Sequence, residues 1–163
     1  MPEEKPSVLQ PVTPEVVAEA RALVAAADHA ALAVLEPGTG HPLASRVGLA
    51  TLDDGTPIIV ISRLAAHRAA LETDPRCSLL VGETGKGDPL AHPRLTLVCH
   101  AEPIEPGSPA AAEAREGYLA KHPRAGIYVD LPDFRFFRLG IERASFNGGF
   151  GRAYALEGAA MTS

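Results

Sequence analysis

The stretch from Ala44 to Leu71 constrains this fold more than any other. At its centre Asp53-Asp54-Gly55 separates two apolar runs, Leu43 to Leu52 and Pro57 to Ser62. An Asp-Gly step in that setting is a hairpin signal, because glycine tolerates the positive φ that tight turns demand. The two runs are therefore expected as antiparallel neighbours. The second, PIIVIS, is β-branched and almost wholly apolar, which suits a strand covered on both faces. A helix is expected from Arg63 to Thr73, where Asp74-Pro75 stops it. The residue before a proline avoids the helical region.

The rest of the chain supports a mainly β reading. Thr13-Pro14 is a hydroxyl cap followed by proline at the first helical position, and Val16, Val17, Ala20, Leu23, Val24 and Ala27 then recur at helical spacing. Ala30 to Leu35 and Arg76 to Val81 are short apolar strands. Arg94 to Ile104 alternates, with Leu95, Leu97, Cys99 and Ala101 on one face and Arg94, Thr96, Val98 and His100 on the other. Ser108-Pro109 starts a second long helix, and Phe134 to Ala144 is the last long strand. The Gly82 to Pro93 loop contains GETGKGDP, which lacks phosphate-loop spacing and reads as a hairpin excursion. Six strands joined mostly by short turns, without regular strand–helix alternation, predict an antiparallel barrel with peripheral helices, in the α+β class. Residues 1–12 read as a flexible arm, 13–155 as one domain and 156–163 as a tail.

Composition excludes some functions. The 163 residues carry a formal charge of −5 and a pI near 5.6, which argues against nucleic acid as a partner. No apolar run approaches the roughly 20 residues of a membrane span, and the acidic N-terminus lacks a secretory pattern. Cys77 and Cys99 lie in apolar strand runs and read as small buried thiols of a reducing compartment. A cytoplasmic location is expected. No histidine pair shows zinc-site spacing, so no metal site is expected; His29, His41, His92 and His122 border turns, and His100 lies on a strand. No nucleophilic triad and no acid–base pair stand out, so the catalytic residues are unknown.

One cluster does suggest chemistry. Arg46 lies in the first run of the hairpin; Ser62 and Arg63 end the second; His67 and Arg68 lie on the helix that follows. Cations and a hydroxyl at a strand-to-helix junction suit a phosphate, because helix N-termini add backbone donors and partial positive charge. The competing reading is a set of unrelated surface cations paired with Glu72 or Asp74.

Five motifs in order sharpen this: PLASRV (42–47), ISRLAAHRAALETDPRCSLLV (61–81), DPLAHPRLTL (88–97), DFRFFRL (133–139) and NGGFGRA (147–153). With them the chain resembles the pyridoxamine 5′-phosphate oxidase-like FMN-binding split-barrel family, and within it the haem-utilisation branch. The resemblance implies a six-stranded split β-barrel and a homodimer with FMN at the subunit interface. It implies FMN contacts from Ser45, Arg46, Val47, Gly48, Ile61, Ser62, His67, Arg68, Arg94 and Thr96. It further implies a flavin-dependent oxidoreductase acting on a small-molecule substrate or a nicotinamide donor. The alternative is a non-catalytic flavin- or haem-binding module, or a partner-binding protein of haem or tetrapyrrole metabolism. The chain has no tryptophan and so lacks the tryptophan-containing C-terminus of true pyridoxamine phosphate oxidases.

Overall fold

The computed structural model describes residues 8–163. The first part of the expected N-terminal arm, residues 1–7, lies outside the described residues. Helix α1 (Pro14–Ala26) starts as predicted, with the Val16 N–H donating to Thr13 Oγ1 at 3.3 Å. Its apolar stripe, Val16, Ala20 and Val24, is buried. Eight strands follow: β1 (His29–Leu35), β2 (Pro42–Gly48), β3 (Ala50–Thr51), β4 (Pro57–Ser62), β5 (Arg76–Val81), β6 (Arg94–Pro103), β7 (Phe134–Asn147) and β8 (Ala153–Glu157). Helix α2 (Ala66–Thr73) joins β4 to β5, and α3 (Pro109–Lys121) lies between β6 and β7.

All eight strands form one antiparallel sheet in the order β2-β1-β5-β6-β7-β4-β3, with β8 on β7. The fourteen residues of β7 make this a split barrel. Residues 134–138 pair with β4, residues 137–147 with β6, and residues 143–147 with β8. The class is the expected one; the strand count is eight rather than six. The predicted Leu43–Leu52 strand is interrupted at Leu49: the Leu49 N–H still follows the β1–β2 register, donating to Asp28 O at 2.9 Å, and Ala50–Thr51 then pair with β4 instead. The additional strand, β8, is only five residues long and follows a glycine-punctuated turn, with Tyr154 and Leu156 on its buried face. Leu156 within it and Met161 beyond it are buried in the main core, so the end of the chain packs against the sheet.

Strand β4 explains the two-sided burial that its composition demands. Ile59 and Ile61 enter the main core with Leu32, Leu79, Leu97 and Phe137. Ile58 faces the other way, into a second cluster with Tyr118, Val129 and Phe136. Each such side chain contributes about 1.5–3 kcal/mol on leaving water. Helix α3, capped by Ser108 as predicted, closes the second cluster. Its C-terminal end ties to the barrel: Lys121 Nζ donates to Ala27 O at 2.8 Å, and His122 Nε2 lies 2.7 Å from Leu49 O. No helix among the described residues is long and apolar enough to cross a membrane.

Candidate functional site

Strand register decides which side chains can meet. On β2, Leu43, Ser45 and Val47 turn toward the interior, while Ala44 and Arg46 are exposed on the outer face. Arg46 lies opposite Ala31 of β1, Ala31 opposite Leu80 of β5, and Leu80 opposite Thr96 of β6. Directly opposite residues share a face, so Arg46, Ala31, Leu80 and Thr96 form one outward row. A parallel row holds Ala44, Ala33, Ser78 and Val98. The outer surface of β2-β1-β5 is therefore floored by alanines and Ser78, with the half-exposed Leu80 among them. Against it stand the C-terminal end of α1 and the start of the 82–93 loop, leaving an open groove of about 730 Å³.

At one end of this groove three ligand-type groups converge. His29 opens β1, and Asp28 precedes it. His29 Nδ1 lies 2.5 Å from Asp28 Oδ1, and His29 Nε2 lies 3.2 Å from Glu83 Oε1. The hydrogen bond from His29 holds the Asp28 carboxyl below its ordinary range. The candidate ligand atoms of the three residues all lie within 4.8 Å of one another. Arg46 lines the same groove and makes no ion pair within the described residues. In the sequence His29 only borders a turn, and its chain spacing to Glu83 carries no motif. Only the β1–β5 pairing, with Ala31 opposite Leu80, carries Glu83 to the start of β1.

The β4–α2 junction is a separate place. Ser45 Oγ lies 3.5 Å from His67 Nδ1, which ties the interior face of β2 to α2. Ser62 Oγ donates to Asp133 Oδ2 at 3.3 Å, and the Arg63 N–H donates to Asp133 O at 2.7 Å. Arg68, rather than Arg46, is the buried cation. Its Nη1 donates to Asp133 O at 2.8 Å and to Ile61 O at 3.3 Å, and its Nε donates to Glu72 Oε1 at 2.9 Å. Asp133 thus accepts from donors expected to face a phosphate, its carboxylate from Ser62 and its backbone carbonyl from the Arg63 N–H and Arg68. Helix α2 itself has Ala65 at its N-cap and so no side-chain cap.

The ten predicted contact residues therefore divide. Ser45, Ile61, Ser62, His67 and Arg68 gather near the β4–α2 junction, whereas Arg46 and Thr96 share the outer face. Val47 is buried in the core. Gly48 lies against Tyr118, so close that a Cβ there would overlap the phenol oxygen. Arg94 lies one step along β6 from the outward row, with Nη1 donating to Leu90 O at 3.0 Å.

The family model described as pyridoxamine 5′-phosphate oxidase matches residues 16–148, spanning α1 through the end of β7. The chain belongs to the pyridoxamine 5′-phosphate oxidase family. Its relatives put it in the haem-utilisation branch of that family. It is 35% identical over 115 residues to the chloroplastic non-canonical heme oxygenase HOZ of Arabidopsis thaliana, a match covering 71% of this chain and 34% of the relative. It is 33% identical over 106 residues to heme oxygenase HutZ of Vibrio cholerae, covering 61% of this chain and 58% of the relative. Among solved structures it resembles a heme-binding protein from Mycobacterium smegmatis, with a TM-score of 0.82 and 33% identity over 97% of this chain and 61% of that one. The matched portion is thus less than two thirds of each of these proteins.

Proposed function

We propose that this member of the pyridoxamine 5′-phosphate oxidase family binds haem in the outer groove of β2-β1-β5. The observation that carries the reading is the groove itself. It has about 730 Å³ of space, a floor of mostly small side chains, an imidazole at one end and an unpaired guanidinium in its wall. That volume falls within the range of small-molecule and cofactor sites. The floor suits a flat apolar ring, and Arg46 suits the carboxylates such a ring carries at its edge. The names of the relatives favour the same ligand. Haem binding is the step that any oxidation of haem would require first. The exposed small residues of the floor also suit coverage by a second copy of the chain, as the split-barrel family implies. Two free cysteines, Cys77 and Cys99, accord with a cytoplasmic setting.

The start of α2 favours a second reading, FMN. It lacks a side-chain cap and lies beside Ser62, Arg63 and His67. A flavin phosphate there would compete with Asp133, so haem is placed ahead of FMN. An oxidoreductase activity on a nicotinamide or other small substrate would follow only from the FMN reading.

Titration of the purified protein with hemin and, separately, with FMN tests both. The expected result is a saturable Soret band that Ala44→Trp abolishes by filling the groove. Tight FMN uptake without a haem spectrum, lost in His67→Ala, would transfer the function to the β4–α2 junction. Uptake of neither ligand would overturn both readings.

A further inference from the structure

We infer that the cavity between α3 and the segment 129–136 binds a small amphipathic carboxylate, a ligand with an apolar body and a single anionic head. The cavity holds about 370 Å³ and shares no lining residue with the outer groove. Its origin lies in the sequence of α3. The helix opens Pro109-Ala110-Ala111-Ala112, and alanine favours the helix while presenting only a methyl. Ala111 and Ala112 line the cavity, so the space between them and the facing segment stays open. That volume lies at the lower end of the range of small-molecule sites, about 300–1,000 Å³.

The walls supply apolar contact. Ile104, Val129 and Phe136 are buried members of the second cluster, and each lines the cavity. Leu131 lines it too, yet is 48% exposed. A large aliphatic side chain left half in water beside a concave apolar wall is surface that the body of a ligand can cover.

Two cations set the head group. Arg115 of α3 donates from Nε to Asp130 Oδ1 at 2.8 Å and from Nη2 to Asp130 Oδ2 at 2.9 Å. Arg135 of β7 donates from Nε to Ile104 O at 3.3 Å and from Nη2 to Glu105 Oε2 at 3.0 Å. Both guanidinium groups belong to side chains that line the cavity, and in each the Nη1 end makes no hydrogen bond within the described residues. A guanidinium carries five N–H donors, so each keeps the Nη1 pair for a ligand. The planar fork suits a carboxylate. Asp130 and Glu105 are 60% and 80% exposed, so water screens both existing pairs. These two carboxylates also balance the two cations, which leaves a mouth that tolerates one negative charge better than a doubly charged phosphate. The first turn of α3, at Gly107 and Ser108, adds the positive end of the helix dipole to the same space.

The test is isothermal titration calorimetry of the full chain with octanoate, and with 1-octanol as its uncharged counterpart. One octanoate should bind per chain, with a Kd below about 1 mM, and octanol should bind more weakly. Arg115→Gln and Arg135→Gln should each weaken octanoate binding about tenfold and leave octanol unchanged. Ala112→Phe, at an exposed position of α3, should fill the cavity and abolish binding of both. Octanoate that binds no tighter than octanol, or that is indifferent to both arginine variants, would overturn the carboxylate assignment. Binding that survives Ala112→Phe would lie elsewhere in the molecule and remove the site, and so would a parent chain that takes up no octanoate. Sedimentation velocity covers the remaining occupant: a dimer that Ala112→Phe dissociates, without octanoate uptake by the parent, would give the cavity to a second copy of the chain and defeat the proposal. Circular dichroism of each variant separates a lost ligand from a lost fold.

Discussion

Replacing Arg68 by alanine tests whether this cation is a strut of the fold or a hand for a ligand. Among the described residues Arg68 is the one charged side chain that is buried, at 8% exposure. Its Nη1 bond to Asp133 O, at 2.8 Å, joins α2 to the residue before β7. The 3.3 Å bond to Ile61 O is longer and weaker. The ion pair with Glu72 has one partner 54% exposed, so water screens most of it. A hydrogen bond from a charged donor contributes about 1.5–3 kcal/mol, so the two carbonyl contacts together give a loss of about 3 kcal/mol on truncation. For a chain of this size that lowers Tm by roughly 6–12 °C. Glu72→Gln, which removes only the screened partner, should cost no more than about 1 kcal/mol. Urea titration and thermal scans of the ligand-free protein measure both. If Arg68→Ala melts with the wild type yet loses FMN uptake, the strut argument is wrong and the cation serves a ligand.

Three further outcomes follow from the same geometry. Gly48→Ala pushes a methyl onto the Tyr118 hydroxyl, whose ring is fixed against His122 and Phe136 at centroid distances of 4.5 and 5.8 Å, and should cost about 1–3 kcal/mol in urea. Leu32→Ala in the fully buried core should cost about 2–5 kcal/mol, whereas Leu64→Ala, at a site 90% exposed, should stay within about 0.5 kcal/mol. Burial holds the His67 imidazole below its ordinary value, so the unfolded chain takes up a proton that the folded chain refuses. That contribution to stability is complete above about pH 6.5 and is lost as pH falls through the folded value. Urea midpoints at about pH 7.5 and pH 5.5 should therefore differ less in His67→Gln than in the parent; an equal difference would remove His67 as the cause.

Much of the fold was legible because its signals are local. Thr13-Pro14 and Ser108-Pro109 announce helix starts through the capping chemistry of adjacent residues, and both caps form. Asp53-Asp54-Gly55 announces its hairpin because Gly55 supplies the φ of +92° that the turn requires. The alternation of β6 names its buried face residue by residue. The split of the Leu43–Leu52 run was not legible. It depends on a change of pairing partner, from β1 for Pro42–Gly48 to β4 for Ala50–Thr51. Strand β8 was not legible either: its alternation spans only the five residues Ala153–Glu157, too short a signal without its pairing to the last residues of β7.

The candidate site shows the same division more sharply. The sequence by itself determined that cations and a hydroxyl cluster around the first hairpin, and its ordered motifs determined the family. It could not say on which side of a strand each group would act. A strand sends neighbours to opposite faces, so Ser45 meets His67 inside while Arg46 looks outward along a row with Ala31, Leu80 and Thr96. Only the tertiary structure decided that Asp133 and Glu72 would satisfy Arg68. Only the β1–β5 pairing could set Glu83 beside His29 and build a groove floored by Ala31, Ala44 and Leu80. Those contacts are non-local, and no spacing along the chain encodes them.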